Sequence, residues 1–342
     1  MIGSIPRPVG IAVLGLGGFG TYITQSIIDC AATIIVGGFD QEQERMRSYS
    51  ARFSCRGFCS LDEVFQTPEV EAVFIAGPNG VHREHAVQAA KHGVHVFCTK
   101  PIANTVDDGL TMVKICRDHG VVFLMDNPPP QWEGVIQAMK DLILRGEIGN
   151  VSMVEAHVSS PLGLQLGPGQ WRWYVEQCPS GSLHQLGIYQ ANTLHYLFGP
   201  ARRVSAFFNQ LHVMAEIPDV TATIIEFESG VLGYLGSSYA VGASPYYIQI
   251  HGTKGSLSLD QKGLFIQRDG TPQEVIGPKQ EDNDLTYSRL LTLFARYIRE
   301  GGYEAVDVME AVRALAIVDG AVQSVKLCRP VVLREIFPDL YS

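Results

Sequence analysis

A glycine-rich turn between an apolar strand and a helix constrains this chain more than any other feature of its sequence. The apolar segment 10–14 runs directly into Gly15-Leu-Gly-Gly-Phe-Gly20. In such a unit the first glycine permits a tight turn, the second lets bare main chain approach a pyrophosphate, and the third lets the helix lie close to the strand. The helix start then directs its amides at the phosphates. The dinucleotide contacts predicted in this turn are Gly15, Gly17, Gly18, Phe19 and Gly20.

A carboxylate follows the second predicted strand. Residues 34–39 are apolar, and Asp40 comes next, twenty positions after Gly20. An acidic side chain at this place hydrogen-bonds the ribose hydroxyls of NAD and repels the extra phosphate of NADP. Capping of the helix predicted from Glu42 is the other role open to Asp40, and the two roles are compatible. Because Arg45 lies one helical turn further on, the sequence favours NAD without excluding NADP.

The composition narrows the class of protein. The chain has 342 residues, 46% of them hydrophobic, and a formal net charge of −9. This length allows two domains with large cores. Because no cluster of Lys and Arg is present, nucleic acid is not an expected partner. The seven cysteines are scattered without metal-ligand spacing, so we predict no metal site. With no signal-peptide pattern and no run of roughly 20 apolar residues, a soluble cytoplasmic protein with no membrane partner is expected.

The first part of the chain alternates predicted strands and helices. Strand-length apolar segments recur at 70–76, 94–98 and 121–125, with helical segments between them. Alternation with short turns is typical of a doubly wound parallel sheet covered by helices on both faces. The proline block at 126–130 cannot continue a helix or enter a central strand, so it predicts a hinge. We therefore predict an N-terminal Rossmann domain over residues 1–126.

The pattern changes beyond the proline block. Alternating β-rich segments separated by turn residues occupy 203–267, and they predict an antiparallel or mixed sheet. Helices are predicted at about 132–145, 182–198, 285–299 and 306–326. We therefore predict a second, α+β domain over residues 127–342, with a large, mostly antiparallel open sheet.

Two further predicted strands end in unusual residues. Gly77-Pro-Asn79 follows one strand and Thr99-Lys-Pro101 follows the next. Ligands of a doubly wound sheet bind beyond the carboxyl ends of its strands. A lysine beside a cationic nicotinamide ring has its ammonium form disfavoured, which suits proton transfer; a surface lysine that closes a loop is the ordinary alternative. We predict Lys100 as a catalytic residue and a cis bond before Pro101.

The motifs follow one another in a definite order. After the glycine turn and Asp40 come Pro78-Asn-Gly-Val-His82, Thr99-Lys-Pro101, Trp171-Arg-Trp173, Ser180-Gly-Ser-Leu183, Gly187-Ile-Tyr189 and Gly252-Thr-Lys-Gly255. This order resembles that of the Gfo/Idh/MocA oxidoreductases over nearly the whole chain. The resemblance implies hydride transfer between a nicotinamide cofactor and a secondary carbinol of a sugar, an inositol or a related small molecule. Together with the need to cover the open sheet, it implies a homodimer or homotetramer packed sheet to sheet.

The resemblance also implies a set of contacts. Those to the cofactor, beyond the glycine turn, are Asp40, Pro78, Asn79, His82, Lys100 and Pro101. Those to the substrate are Trp171, Arg172, His184 and Gln185, and Tyr189 is a second catalytic residue beside Lys100. Aromatic faces and an arginine suit a sugar ring, although a structural anchor at a domain interface is an equal alternative for this segment.

The chain departs from the family pattern at informative positions. Thr99 stands where the family usually has glutamate, and Gln185 and Asn192 stand where it usually has aspartates. Glutamine orients a hydroxyl but cannot exchange a proton, so Lys100 and Tyr189 are expected to carry the proton while Gln185 holds the substrate. Two alternatives follow: a redox-neutral enzyme that processes a glycoside with tightly held NAD, and a non-catalytic, nucleotide-binding regulatory protein.

Overall fold

The described chain forms two compact units that share the sequence in alternating segments. The computed structural model describes residues 7–126, 134–268, 271–275, 283–301 and 308–341, with the main chain only for 271–275 and 283–285. The first unit takes its residues from 1–103, 108–128 and 282–309, and the second takes its residues from 104–107, 129–281 and 310–342. The boundary predicted after residue 126 would instead put 104–107 in the first domain and 282–309 in the second, so the prediction differs from this division at both segments.

A parallel sheet forms the centre of the first unit. Its strands are β1 (Val9–Leu14), β2 (Thr33–Phe39), β3 (Arg56–Phe58), β4 (Ala72–Ile75), β5 (His95–Cys98) and β6 (Phe123–Met125). They lie in the order β3-β2-β1-β4-β5-β6, and all the pairs are parallel. Every residue of β1 and β4 is buried, as a sheet covered on both faces requires. The predicted doubly wound sheet is confirmed. The order reverses between β1 and β4, which is where such sheets bind ligands.

Helices follow the strands of this sheet. They are α1 (Gly18–Asp29), α2 (Gln43–Phe53), α3 (Leu61–Gln66), α4 (His82–Lys91) and α5 (Val106–Asp118). Local sequence explains several of their ends. Ser60 Oγ accepts a hydrogen bond from Glu63 N (3.1 Å) at the start of α3, as the capping pattern Ser-x-x-Glu predicts. After α4, Gly93 has φ +71°, a backbone conformation that favours glycine at a helix end.

A helix from the far end of the chain belongs to the first unit. Helix α8 (Asn283–Glu300) contacts α1 and β2, and Cys30 Sγ lies 3.6 Å from Thr292 Oγ1. Its apolar stripe is buried, with Phe294 fully so and its ring 5.2 Å from that of Phe97. The helix itself is predicted from the sequence, but its place on the N-terminal sheet is not.

The second unit contains a mixed sheet. Its strands are β7 (Val151–Ser159), β8 (Ala201–Asn209), β9 (Val220–Phe227), β10 (Leu232–Ser238), β11 (Tyr246–Gly252), β12 (Gly255–Asp260), β13 (Gly263–Arg268), β14 (Thr271–Val275) and β15 (Val331–Val332). They lie in the order β14-β13-β12-β11-β7-β10-β9-β8-β15. The β7–β10 pair is parallel and the other pairs are antiparallel. The predicted large, mostly antiparallel sheet is confirmed.

The two faces of this sheet differ. Along β9, Thr221, Thr223 and Ile225 are buried, whereas Ile224 between them is 50% exposed. The buried face is covered by helices that include α7 (Ile188–Phe198) and α9 (Val308–Leu327), and α6 (Gly134–Leu144) and α10 (Leu333–Ile336) complete the unit. The opposite face is open, and it carries apolar side chains such as Phe207, which is 78% exposed.

Two further predictions concern the proline block and membrane-spanning helices. Most of the proline block 126–130, together with the first residues of the helix predicted from about Trp132, lies outside the described residues. Among the residues that are described, no helix is both long enough and apolar enough to cross a membrane.

Candidate functional site

The glycine turn after β1 has the geometry that a bound pyrophosphate requires. Gly15 has φ +96°, and a Cβ there would lie 2.5 Å from Gly77 N. A Cβ on Gly20 would lie 2.0 Å from Gly15 O, whereas one on Gly17 would meet nothing within 4 Å. The turn therefore needs glycine at two positions for packing, and it leaves open space at the third. Helix α1 begins at Gly18, so its first-turn amides, which have no partner within the helix, adjoin that space.

Asp40 lies against the same turn. Its Oδ2 accepts a hydrogen bond from Leu16 N (2.8 Å), and its Oδ1 accepts one from Glu42 N (3.0 Å). The Nη1 of Arg45 lies 3.1 and 3.2 Å from the two carboxylate oxygens. Helix α2 starts at Gln43, after Glu42. Asp40 is therefore fixed between the glycine turn and α2. The N-cap residue of α2 is Glu42 rather than Asp40, whereas a carboxylate beside the glycine turn is compatible with the ribose role.

A cleft of about 280 Å³ opens beside Asp40. It is lined by Gly15, Phe39, Asp40, Gln41, Glu42, Arg45, Gly77, Pro78, Val81 and His85. The structure thus brings together the predicted contacts Gly15, Asp40 and Pro78. Asn79 follows Pro78 directly and is 3% exposed.

His85 is a residue of this cleft that sequence reasoning missed. It is buried, and its Nδ1 has no hydrogen-bond partner among the described residues. Burial, together with the nearby His82, lowers its pKa to about 4, so the ring is neutral at physiological pH. His85 therefore lines the cleft as a neutral, largely buried ring whose Nδ1 atom is itself buried. Its sequence position, on the buried side of a helix, gives no sign of this.

His82 has a different position from the one predicted. Its ring is fully buried, with Nε2 3.1 Å from Gly77 O and Nδ1 3.1 Å from Pro101 O. Burial lowers its pKa despite these carbonyl contacts. A ring without exposed surface cannot touch a cofactor, so His82 acts by joining the loop after β4 to the loop after β5. The Lys100–Pro101 bond in that second loop is cis, as the sequence suggested.

Lys100 follows β5, with its main chain held by a carboxylate from the neighbouring strand. Asp126, directly after β6, accepts hydrogen bonds from Lys100 N and from Thr99 Oγ1, both at 2.7 Å. Thr99 stands where the family motif usually has glutamate, and its hydroxyl therefore binds the carboxylate of the residue that follows β6. Asp126 is 3% exposed, and burial raises its pKa to about 6, although Thr99 and the charge of Lys100 oppose the rise.

In the second unit, Gln185 lies in an irregular helical turn. Residues Leu183–Gly187 form a π-helical turn that leads into α7, and such turns are frequent at functional sites. Gln185 is 3% exposed, and its Oε1 accepts a hydrogen bond from Arg172 Nε (3.4 Å). Tyr189, four residues later, is 41% exposed. The turn thus buries the amide that could hold a substrate oxygen and presents the phenol that could exchange a proton.

The guanidinium of Arg172 lies over a tryptophan ring. Its guanidinium carbon is 4.3 Å from the ring centroid of Trp171, and Trp171 packs against the buried cluster around Tyr239. One face of Trp171 is therefore covered by the arginine, and the ring has a structural anchoring role. This reduces what Trp171 can offer to a sugar, whereas Arg172 keeps donors beyond the one that it gives to Gln185.

His184, predicted as a substrate contact, is a core residue. It is fully buried, with Nδ1 2.5 Å from Ser180 Oγ and Nε2 3.0 Å from Asn104 O. Burial lowers its pKa to about 4. Both ring nitrogens have partners and no ring atom is exposed, so we withdraw His184 from the substrate contacts. Among the residues that the structure describes, no group of three or more His, Cys, Asp or Glu side chains is placed to hold a metal ion.

Family-wide sequence patterns match the chain in both of its parts. The pattern described as "Oxidoreductase family, NAD-binding Rossmann fold" matches residues 9–127, and that of the GFO/IDH/MocA C-terminal domain matches residues 136–258. The chain belongs to the Gfo/Idh/MocA oxidoreductase family. The resemblance seen in the order of the motifs is thereby confirmed, as are the predictions of an NAD(P)-dependent oxidoreductase and of an NAD-binding domain, NADP not being excluded.

Individual proteins of known name align over most of the chain. A 2,7-anhydro-N-acetylneuraminate hydratase of Mediterraneibacter gnavus is 29% identical over 82% of this chain and 76% of the relative. A dTDP-3,4-didehydro-2,6-dideoxy-alpha-D-glucose 3-reductase of Saccharopolyspora spinosa is 24% identical over 86% of this chain and 89% of the relative. The crystal structure of a protein assigned as an NADPH-dependent oxidoreductase from Desulfitobacterium hafniense has a TM-score of 0.83, with 29% identity over 96% of this chain and 99% of that one.

Proposed function

We propose that this protein transfers a hydride between NAD and a secondary carbinol of a sugar, a polyol or a sugar derivative, with Lys100 in proton transfer. The observation that carries the proposal is the fixed position of Lys100 at the carboxyl edge of the NAD-binding sheet. Its main-chain amide is bound by a buried carboxylate, one strand from the point where the strand order reverses. Reacting groups of doubly wound sheets lie at this edge.

The residues present fit the nucleotide. The open space at Gly17 and the first-turn amides of α1 suit the pyrophosphate. Asp40 and the cleft beside it suit the ribose, and the carboxylate favours NAD over NADP. When bound, the nicotinamide ring accepts or returns a hydride. Asn79 and Pro101, which follow the ends of two strands, are proposed to lie next to the nicotinamide ring.

The protein's part in the reaction is to hold the carbinol and move its proton. As the hydride leaves the carbinol carbon, the hydroxyl proton passes to the neutral amine of Lys100, and the C–O bond becomes a carbonyl. In the reverse direction the ammonium returns the proton. Tyr189 is proposed as the second proton-transfer residue, because its phenol is exposed next to the turn that holds Gln185. Gln185 and Arg172 would position the substrate by hydrogen bonds.

The relatives named above favour a second candidate function. One is named a reductase and another a hydratase, and a hydration has no net change of oxidation state. A redox-neutral cycle would use the same lysine, with the hydride removed in one half of the cycle and returned in the other. Such an enzyme would consume no added NAD, and nucleotide would co-purify with it.

The test is absorbance at the NADH band, with purified protein, NAD or NADP, and a panel of inositols, aldoses, glycosides and sugar acids. Turnover of any substrate by the wild type, lost in Lys100→Met but kept in Lys91→Met, would support the proposal. Lys91 is an exposed lysine at the end of α4, so its variant controls for removal of a positive charge. Normal turnover in Lys100→Met would refute the role of Lys100.

The redox-neutral candidate has its own readout. The protein is denatured, the released nucleotide is measured, and the panel is analysed for changed sugars by mass spectrometry. Bound NAD with a converted sugar and no net NADH would establish the redox-neutral cycle. Protein that is purified without bound nucleotide and that forms NADH steadily would exclude the redox-neutral cycle.

The open face of the second unit's sheet supports a homo-oligomer. Exposed apolar residues adjoin across the strands, where Leu232 (51% exposed) pairs with Met153 (41% exposed), and Phe207 and Ile224 lie on the neighbouring strands. A water-exposed apolar patch of this kind marks an interaction surface. We propose that a second copy of the chain covers it, in a dimer or tetramer. Light scattering at micromolar concentration should show an oligomer in the wild type and a smaller species in Ile224→Glu; a monomeric wild type would contradict this.

The cysteines support a cytoplasmic location. All seven are free thiols, of which Cys30, Cys98, Cys116 and Cys178 are buried. Free thiols persist in reducing compartments. We therefore propose the cytoplasm as the place where the enzyme acts.

A further inference from the structure

The carboxylate behind Lys100 is unusual in its surroundings. Asp126 is almost fully buried at the end of β6, and it accepts two short hydrogen bonds, from Lys100 N and Thr99 Oγ1. The hydroxyl of Tyr287, from α8, lies 3.5 Å from the same Oδ2 that Thr99 binds. A buried carboxylate costs free energy unless it is paired or hydrogen-bonded, and these hydrogen bonds offset part of that cost for Asp126.

Among the residues that the structure describes, Lys100 is the cation whose charge acts on Asp126. The positive charge of Lys100 stabilises its ionised form. The nearby thiol of Cys98 carries no charge, since burial raises its pKa well above the usual value. Thr99 and Tyr287 contribute neutral hydroxyl donors. Asp126 and Lys100 are therefore the two groups of this cluster whose charges oppose each other.

We propose that Asp126 is a positioning residue for the reaction: together with Thr99 it fixes the main chain of Lys100 and places a negative charge that governs when the lysine gains or loses its proton. The inference rests on the proposed role of Lys100. The charge of an ionised Asp126 acts on Lys100, and an opposite charge favours the ammonium form, so Asp126 makes the amine of Lys100 a stronger base for the carbinol proton. The hydrogen bond to Lys100 N holds the lysine on the loop where the proton is delivered.

Three variants separate the charge from the hydrogen bonds. Asp126→Asn keeps an acceptor for Lys100 N and removes the charge. Thr99→Val keeps the charge and removes the hydroxyl. Asp319→Asn is the matched control, because Asp319 is also buried and also accepts a main-chain hydrogen bond, from Val106 N at 2.9 Å in the second unit.

The first readout is steady-state kinetics on a substrate of the wild type. Asp126→Asn should lower kcat by about tenfold or more, because the lysine keeps its place but loses the neighbouring charge. KM and the dissociation constant of NADH should stay within about twofold, since neither ligand touches a buried carboxylate. Thr99→Val should lower kcat less, and Asp319→Asn should leave it unchanged.

The second readout does not depend on turnover. Acetic anhydride acylates neutral amines, so the labelling of Lys100 against pH, read by peptide mass spectrometry, reports its protonation, with exposed Lys91 as internal reference. In Asp126→Asn the labelling curve of Lys100 should move to lower pH, whereas that of Lys91 should not move. Asp319→Asn should move neither curve.

The outcomes are distinct. An unchanged labelling curve for Lys100 in Asp126→Asn overturns the inference, even if kcat falls, because only a structural effect would then remain. A shifted curve with a wild-type kcat also overturns it, since the charge would not serve the reaction. If the wild type turns over nothing while the curve shifts, the proposed function fails, and the control of Lys100 by Asp126 stands.

Discussion

Replacement of Asp126 by asparagine should stabilise the protein at neutral and alkaline pH. The pKa of this buried carboxyl is raised from 3.8 to about 6 in the folded protein. Between those values the folded state binds a proton that the unfolded chain has released, so stability falls as pH rises through this range. Above about pH 7 the carboxylate is ionised in both states, and the folded protein bears the full cost of burying the charge.

The size of the effect follows from the shift. From 3.8 to about 6 is roughly 2 pKa units, and each unit corresponds to about 1.4 kcal/mol, which gives about 3 kcal/mol. Asparagine is neutral and of similar shape. Its oxygen can accept from Lys100 N, and its amide can donate to Thr99 Oγ1. We expect Asp126→Asn to gain up to about 3 kcal/mol at pH 8 and about half of that at pH 5.

Urea unfolding followed by circular dichroism at the two pH values measures the gain by linear extrapolation. Glu71→Gln is the control of opposite sign. Burial alone would raise the pKa of Glu71, but hydrogen bonds from Arg299 and Gly10 N hold it below its usual value. Its stabilising effect is present above the unfolded pKa and is lost as pH falls, so Glu71→Gln should lose stability at pH 8 and less of it in acid. Loss of stability in Asp126→Asn at pH 8, or an equal gain at both pH values, would refute the reasoning.

Three further substitutions give direct tests. Asp40→Ser should raise the affinity for NADPH relative to NADH by on the order of tenfold, because a repelling carboxylate is removed and Arg45 is released; an unchanged ratio in calorimetric titrations would contradict it. His184→Ala should lower the free energy of unfolding in urea by about 3 kcal/mol, since it opens a cavity and leaves Ser180 Oγ without its buried partner. An unfolding midpoint equal to that of the wild type would contradict the buried position of His184. Arg172→Met should raise KM more than it lowers kcat, because Arg172 is proposed to bind rather than to react; a lower kcat at unchanged KM would place it in the chemistry.

The sequence predicts those parts of the fold that depend on residues close to one another along the chain. Local steric rules predict the approximate places of the strands of the first sheet other than β3, the need for glycine at Gly15 and Gly20, and the helix end at Gly93. The cluster around Lys100 was not predictable in full. Thr99 and Asp126 are 27 positions apart and meet only because β6 lies beside β5. The sequence does not state this order of strands.

Predicted contacts failed where burial decides the role. His82 and His184 stand beside functional motifs, and a motif does not reveal which side of its element faces inward. Both rings are fully buried, and their nitrogens lie against main-chain or hydroxyl oxygens. His85, one turn of α4 after His82, lies at the wall of the nucleotide cleft instead. The side of a helix that meets a ligand depends on packing that a single sequence does not specify.

The place of helix α8 has a consequence for how the protein is made. The face of the N-terminal sheet near α1 is closed by Leu290, Leu291 and Phe294, all fully buried, and these residues are synthesised more than 160 positions after β6 ends at Met125. While the intervening chain is still being translated, this apolar face has no native cover, so it is open to chaperones or to other nascent chains. A ribosome must therefore read most of the message before the nucleotide-binding half can close, even though that half is encoded first.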